Sequence, residues 1–386
     1  MTDEQDVIPF ARPDIGELEI DAVVTAMRSG WLTTGPNAAA LEREFCDFLG
    51  NGHAIAVNSA TAALHLALEG LGIGPGDEVI VPTWTFTATA EVIQYVGATP
   101  VLVDIDSTTL NIDLAAAERS LSPRTRAIMP VHFAGLPVDR GALAGFASAH
   151  DLRVVEDAAH AFPVLSQGRL VGDSDSDAVA FSFYATKTIT TGEGGMLVTR
   201  NEELAARART MRLHGIDRDV FDRYRSRQPN WRYDVVAAGY KYNLTDTAAA
   251  MGRVQLARAA HMRDKRARIA LRYNEAFSDL PVTLPVGGFD GDHAWHLYVL
   301  RLAPEAPVTR DEFIEELSRR GIGTSVHFIP LHLLSHWRGH HALRTEDFPA
   351  ATEAFGQVVS LPLFSAMTDS QVYRVIEAAR AVLGQS

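Results

Sequence analysis

Seven short β-like runs, HAIAVN, DEVIVPT, TPVLVDI, RAIMPVH, LRVVEDA, DAVAFSFY and GGMLVT, follow one another between residues 50 and 200, most of them separated by helical segments. Most are continuously apolar rather than alternating. A strand that is apolar on both faces has to be covered on both, which is the condition of a parallel sheet flanked by helices. The pattern predicts a doubly wound α/β domain with a mostly parallel seven-stranded sheet, whose ligand site lies at the carboxyl ends of the strands. Ahead of it, residues 14–30 and 37–50 have helical spacing of apolar positions, and each ends at a glycine.

Past Asn243 the rhythm changes. TDTAAAMGRVQLARAAHMRDKRARIALRYNEAF reads as one long helix capped by Thr245 or Asp246. A strand (HLYVLRL), a helix (TRDEFIEELSRRG), a second strand (GTSVHFI) and a terminal helix (DSQVYRVIEAARAVL) follow. Irregular alternation of this kind points to a smaller α+β domain. The expected division is residues 1–245 for the large domain, including its helical start, and 246–386 for the small one; 386 residues exceed what one core usually serves.

A formal charge of −13 argues against a nucleic-acid partner, because phosphate backbones are held by positive faces. Cys46 is the only cysteine, which excludes an intrachain disulfide, and its place in LEREFCDFLG suits a buried helix position better than a nucleophile. The N-terminal MTDEQDVIPF is acidic and lacks the apolar core of a secretory signal, and no run approaches the length of a membrane span. A cytoplasmic protein without membrane contact is expected. Lysine is scarce: Lys187, Lys241 and Lys265 are the only side-chain amines.

Four segments carry candidate chemistry. Asn58-Ser59-Ala60-Thr61 follows the first strand and opens a helix, so free N–H groups with the Ser59 and Thr61 hydroxyls make either a phosphate cup or an ordinary helix cap. At the end of the next strand, PTWTFT alternates so that Trp84 and Phe86 would share a side, either stacking on a flat ligand or packing in the core. Asp157 in VVEDAAHA ends a third strand; Glu156 points the other way and reads as structural, and His160 lies one turn on. Lys187 follows SFYAT after a fourth strand, with Gly192, Gly194 and Gly195 behind it to let backbone approach closely, and Ser182 as a further phosphate donor. A carboxylate that keeps a pyridine nitrogen protonated and an amine that binds an aldehyde are together what pyridoxal phosphate (PLP) requires, with Lys187 as covalent anchor. Such a lysine must lose its proton near neutral pH, which burial and a nearby cation assist.

Other motifs are weak. No G-x-x-x-x-G-K-[ST] loop occurs, and Gly72, Gly74 and Gly76 follow a helix, as in a connecting loop. His332, His336 and His340 are four apart, yet no carboxylate completes the set and Gly339 breaks the helix, so no metal is expected.

In this order and spacing the four segments, with IPFARPDIGELEI, GYKYNLTDTAAAMGRVQL and GIGTSVHFIPLH, closely resemble the DegT/StrS family of PLP-dependent sugar-nucleotide aminotransferases, of fold type I. The resemblance spans nearly the whole chain. It implies that Lys187 is the covalent anchor and acid/base, that Asp157 holds the pyridinium, and that Thr61, the Ala60 backbone and Ser182 hold the phosphate. Phe86 would stack on the ring, and His160 would lie near its hydroxyl. It further implies a homodimer with shared active sites. Lys241 stands in GYKYN where many members carry the asparagine that reaches the partner's phosphate, so either Lys241 or Asn243 fills that role here. His327 and His332 match positions on the substrate side.

The implied reaction moves an amino group from L-glutamate to a nucleotide-linked 4-keto-6-deoxy sugar by ping-pong transamination. The alternatives are a 3-keto sugar nucleotide or a keto-inositol and, in another class, a non-catalytic regulator on the same scaffold. The branch of dehydratases that carry histidine in place of the lysine is disfavoured by Lys187.

Overall fold

The computed structural model describes residues 7–50, 52–217, 232–288, 290–341 and 343–384; the first acidic residues of the N-terminus and the side chain of His340 lie outside them. The expected strands form β1 (His53–Val57), β2 (Glu78–Pro82), β3 (Thr99–Val103), β4 (Thr125–Ile128) and β5 (Arg153–Asp157). A small hairpin, β6 (Leu165–Ser166) and β7 (Arg169–Leu170), precedes β8 (Ala178–Ser182) and β9 (Gly195–Thr199). The large sheet has seven strands in the order β1-β9-β8-β5-β4-β2-β3. All its pairings are parallel except the two made by β9, with β1 and with β8. The doubly wound, mostly parallel expectation holds.

Helices cover both faces, as continuous apolar strands demand. The helix α1 (Glu17–Arg28) and α2 (Pro36–Leu49) lie where their spacing placed them, and α2 ends on Gly50 at φ 74°. From Ala60 to Gly70 runs α3, capped by Ser59 and buried along ALHLAL, while α4 spans Thr87–Tyr95. Further along come α5 (Leu114–Arg119), α6 (Arg140–His150) and α7 (Glu202–Met211).

The long helix α8 (Asp246–Phe277) is capped by Thr245, whose hydroxyl accepts from the Ala248 N–H. Asp246 instead turns toward α2 and accepts from Asn37 Nδ2 and the Ala38 N–H. After α8, strands β10 (Val282–Thr283), β11 (Tyr298–Leu302) and β12 (Val358–Leu361) form an antiparallel sheet, packed with the helices Arg310–Arg319 and Asp369–Leu383. GTSVHFI, expected as a strand, makes only an isolated bridge between Ser325 and Ser360. Its Ser325, His327 and Phe328 line a cavity instead, and VVSL at 358–361 takes the strand position. We propose the domain boundary near residue 245, at the start of α8. Ile8 packs in the core of the small sheet, with its N–H donating to the Gly321 carbonyl.

Candidate active site

A cavity of roughly 580 Å³ opens at the carboxyl ends of β2, β5 and β8 and at the start of α3. Each of the four segments contributes to it.

At the start of α3 the Ser59 hydroxyl accepts from the Ala62 N–H at 3.1 Å, so that hydroxyl serves as a cap. The N–H groups of Ala60 and Thr61, in the first turn, have no intrahelical acceptor and line the cavity with the Thr61 hydroxyl. β9 passes directly behind them. A Cβ at Gly195 would stand 2.6 Å from the Ser59 carbonyl carbon and 2.7 Å from the Ala60 nitrogen, so only glycine permits this approach. Ser182, at the end of β8, completes that wall.

Trp84 and Phe86 part company, contrary to the alternation expected of them. The strand ends at Pro82, and Phe86 is already the cap of α4 with φ −69° and ψ 143°, so strand periodicity no longer governs either ring. Trp84 is fully buried against Phe133, whereas Phe86 is 59% exposed and faces the cavity.

Asp157 is buried at the end of β5 and held at both oxygens: Thr89 donates to Oδ2 at 2.8 Å and the Ala159 N–H to Oδ1 at 3.0 Å. Glu156 faces the opposite side, where His132 Nε2 (2.8 Å) and Ser174 (2.7 Å) pair with it, as expected of a structural residue. His160 lines the cavity, stacked on Phe328 and 4.4 Å from the His296 ring. Burial, with the Lys187 charge nearby, pushes its pKa well below the usual histidine range.

Lys187 sits on the loop between β8 and β9, its Nζ 3.5 Å from His296 Nε2. Burial lowers its pKa to about 8; the Asp157 carboxylate opposes that shift, and the Arg266 guanidinium adds to it. The amine is thus far easier to deprotonate than a solvated lysine. The nearby cation that the chemistry asks for is Arg266.

His327 lines the cavity, with Nδ1 3.0 Å from Ser360 Oγ, and burial takes its pKa down to about 4. His332 does not line it. That ring is buried against Phe348, with Nδ1 2.9 Å from Thr83 and Nε2 3.1 Å from Thr352, so it ties the end of β2 to the C-terminal part of the chain. Lys241 and Asn243 also lie outside the cavity. Lys241 is exposed and uses its carbonyl to hold Asn58, while the Asn243 amide is buried and donates to Thr34 at 2.7 Å.

Sequence reasoning missed Thr89, Arg266, His296 and Phe328. The pair of histidines in HAWH at 293–296 was the available signal; Thr89 and Arg266 sit inside helices with nothing in their spacing to mark them.

The residues present fit PLP. A helix start with free N–H groups and an adjoining hydroxyl suits a phosphate. A doubly anchored carboxylate suits a pyridinium, and the amine is easily deprotonated. Nδ1 of His160 and of His296, both buried, have no hydrogen-bond partner among the described residues, and both residues border the cavity.

Comparison with known proteins agrees. The DegT/DnrJ/EryC1/StrS aminotransferase family matches residues 13–380. The chain is 47% identical over 379 residues to the spore coat polysaccharide biosynthesis protein SpsC of Bacillus subtilis, covering 97% of each. Spr1654 of Streptococcus pneumoniae, solved in pyridoxamine phosphate (PMP) and PLP forms, superimposes with a TM-score of 0.91 for the PMP form at 35% identity, over 97% of this chain and 98% of that one. Helicobacter pylori PseC, an aminotransferase involved in the biosynthesis of pseudoaminic acid, superimposes with a TM-score of 0.90 at 28% identity, over 98% of this chain and all of PseC.

Proposed function

The chain belongs to the DegT/DnrJ/EryC1/StrS aminotransferase family, and as a PLP-dependent sugar aminotransferase we propose that it moves an amino group from L-glutamate to a nucleotide-linked 4-keto-6-deoxy sugar, giving a 4-amino sugar nucleotide. The observation that carries the reading is the pairing of a buried, easily deprotonated Lys187 with the doubly held carboxylate of Asp157 in one cavity.

PLP, when bound, supplies an electron sink for the α-carbon of the amino donor. The chain's own residues do the rest. Lys187 Nζ would anchor the cofactor, and as an easily deprotonated amine in the cavity it would serve as the base and acid that moves the proton of the donor's α-carbon. Asp157 would keep the ring nitrogen protonated, and Thr89 with the Ala159 N–H holds that carboxylate in place. Ala60, Thr61 and Ser182 would hold the phosphate, Phe86 would pack on the ring, and His160 would face its hydroxyl. His327 and Phe328 shield the substrate side from water. With the keto-sugar bound, the same groups work in the reverse order.

The working unit in this reading is a cytoplasmic homodimer whose active sites are shared. Supporting it, Phe86, Tyr184 and Ile329 leave large apolar surface exposed around the cavity. With the Asn243 amide committed to Thr34, the exposed Lys241 is the residue that reaches the partner's phosphate.

The test is incubation of the protein with PLP, L-glutamate and a panel of nucleotide-linked 3-keto and 4-keto sugars, with mass spectrometry and NMR of the products. Amination of a 4-keto-6-deoxy sugar is the expected result; amination at C3 alone, or of none of the panel, overturns the substrate assignment.

A further inference from the structure

Arg266 is a buried guanidinium without a carboxylate of its own. It lies within α8 at 3% exposure, and among the described residues no acid forms an ion pair with it. The acid whose charge supports it, Asp14, is already paired with Arg258 at 2.8 Å. Its Nη1 donates to the carbonyls of Leu363 at 2.8 Å, His296 at 3.3 Å and, at the limit of hydrogen bonding, Trp295 at 3.5 Å, and among the described residues its Nε has no partner. Burying a charge this poorly compensated is costly, and a fold that needed only a tie between these carbonyls could use a neutral donor. Strongly perturbed groups of this kind cluster at functional sites.

The two closer carbonyls, of Leu363 and His296, belong to residues that border the active-site cavity. His296 thus stands between the two: its backbone carbonyl accepts from the guanidinium, and its ring Nε2 lies 3.5 Å from the Lys187 amine. We infer that Arg266 is a positioning residue of the aminotransferase, an unpaired cation set behind His296 to act on the reacting amine of Lys187. The inference rests on Lys187 being the cofactor's anchor.

A positive charge fixed in the same dry interior, one residue removed through His296, disfavours a second one, so Arg266 favours the neutral amine that can attack an aldehyde. The other groups facing Lys187 are few. Asp157 pulls toward the protonated form, and His160, His296 and His327 are kept neutral by burial, with Lys187 itself among the causes. Arg266 is therefore the one fixed cation opposing Asp157 at this amine among the described residues. It acts through space and through the placement of His296, and it does not itself line the cavity.

The full-length protein, freed of PLP, is given PLP at a series of pH values, and the reaction is stopped at short times with borohydride. Capture forms a bond from Lys187 Nζ to the aldehyde carbon, whose oxygen leaves as water. Borohydride then adds hydride to that carbon, and peptide mass spectrometry counts the fixed adduct. Capture by the natural protein is expected to rise through about pH 8. In Arg266→Gln and Arg266→Met, two neutral replacements, the midpoint is expected to move up by about one pH unit. A folded variant of either kind with an unmoved midpoint overturns the inference, and so does failure of both to fold, which would make Arg266 purely structural. Lys187→Ala separates the underlying reading: PLP found on another lysine in that variant and in the natural protein refutes the anchor, whatever Arg266 does.

Discussion

The Thr89 hydroxyl donates to Asp157 Oδ2 at 2.8 Å, from the first turn of the helix that Phe86 caps. One short turn therefore supplies both the aromatic beside the cavity and a hydrogen bond to its acid. Removing that bond in Thr89→Val leaves Oδ1 held by Ala159 and frees Oδ2. The expected loss is about 1 kcal/mol, roughly fivefold in kcat/KM, with the fold intact. Asp157→Asn should cost at least about a hundredfold while PLP still binds. Steady-state kinetics beside PLP titration checks both, and full activity of Asp157→Asn would remove this residue from the chemistry.

Lys187→Ala should lose both turnover and the borohydride-fixed adduct. Lys187→Arg should do the same, because a guanidinium keeps its proton and cannot attack. Mass spectrometry of the reduced protein decides.

Gly195→Ala places a methyl against Ser59 and Ala60 where no room exists. The start of α3 must move, and its N–H groups with it. PLP should dissociate about tenfold faster, with a fall in thermal stability. Unchanged retention would show that the start of α3 does not hold the phosphate.

If Lys241 reaches across a dimer, subunits carrying Lys187→Ala and subunits carrying Lys241→Ala, each weakened alone, should complement one another. Half of randomly remixed dimers are hybrids with one intact site each, so about a quarter of natural activity is expected. Absence of complementation in verified hybrid dimers would confine the site to one subunit.

Acid should weaken the fold early. His160, His293 and His296 are buried, and burial holds them neutral, His293 down to about 3 and the other two well below the usual 6.5. Below pH 6.5 the unfolded chain binds protons that the folded one refuses, so stability is full above that pH and lost as pH falls toward the folded values. The slope reaches up to about 1.4 kcal/mol per pH unit for each histidine. Urea midpoints at pH 7 and 5.5 test this, and equal midpoints would contradict it.

What could be read in the sequence was whatever a strand end delivers directly. Asp157, Ser182 and Lys187 follow apolar runs whose direction is set by the sheet, and the segment at Ala60 and Thr61 opens a helix behind another. Prediction failed where regularity stopped. Trp84 and Phe86 lie beyond their strand, so period-two reasoning put two rings together that the chain sends apart. GTSVHFI has the composition of a strand, but its polar side chains find the cavity and Ser360 rather than a ladder. Arg266 was invisible because its meaning depends on carbonyls 30 and 97 residues away along the chain.

The reversed strand β9 has a consequence for timing. It alone joins β1 to β8, and so brings the start of α3 beside the loop of Lys187. Contacts this remote in the chain close late, after the loop entropy between them has been overcome. A nascent chain still lacking β9 has its acid, its cup and its amine, and no site. Cofactor capture is then a checkpoint on completed folding: a chain that has taken up PLP has already threaded the reversed strand of its large sheet.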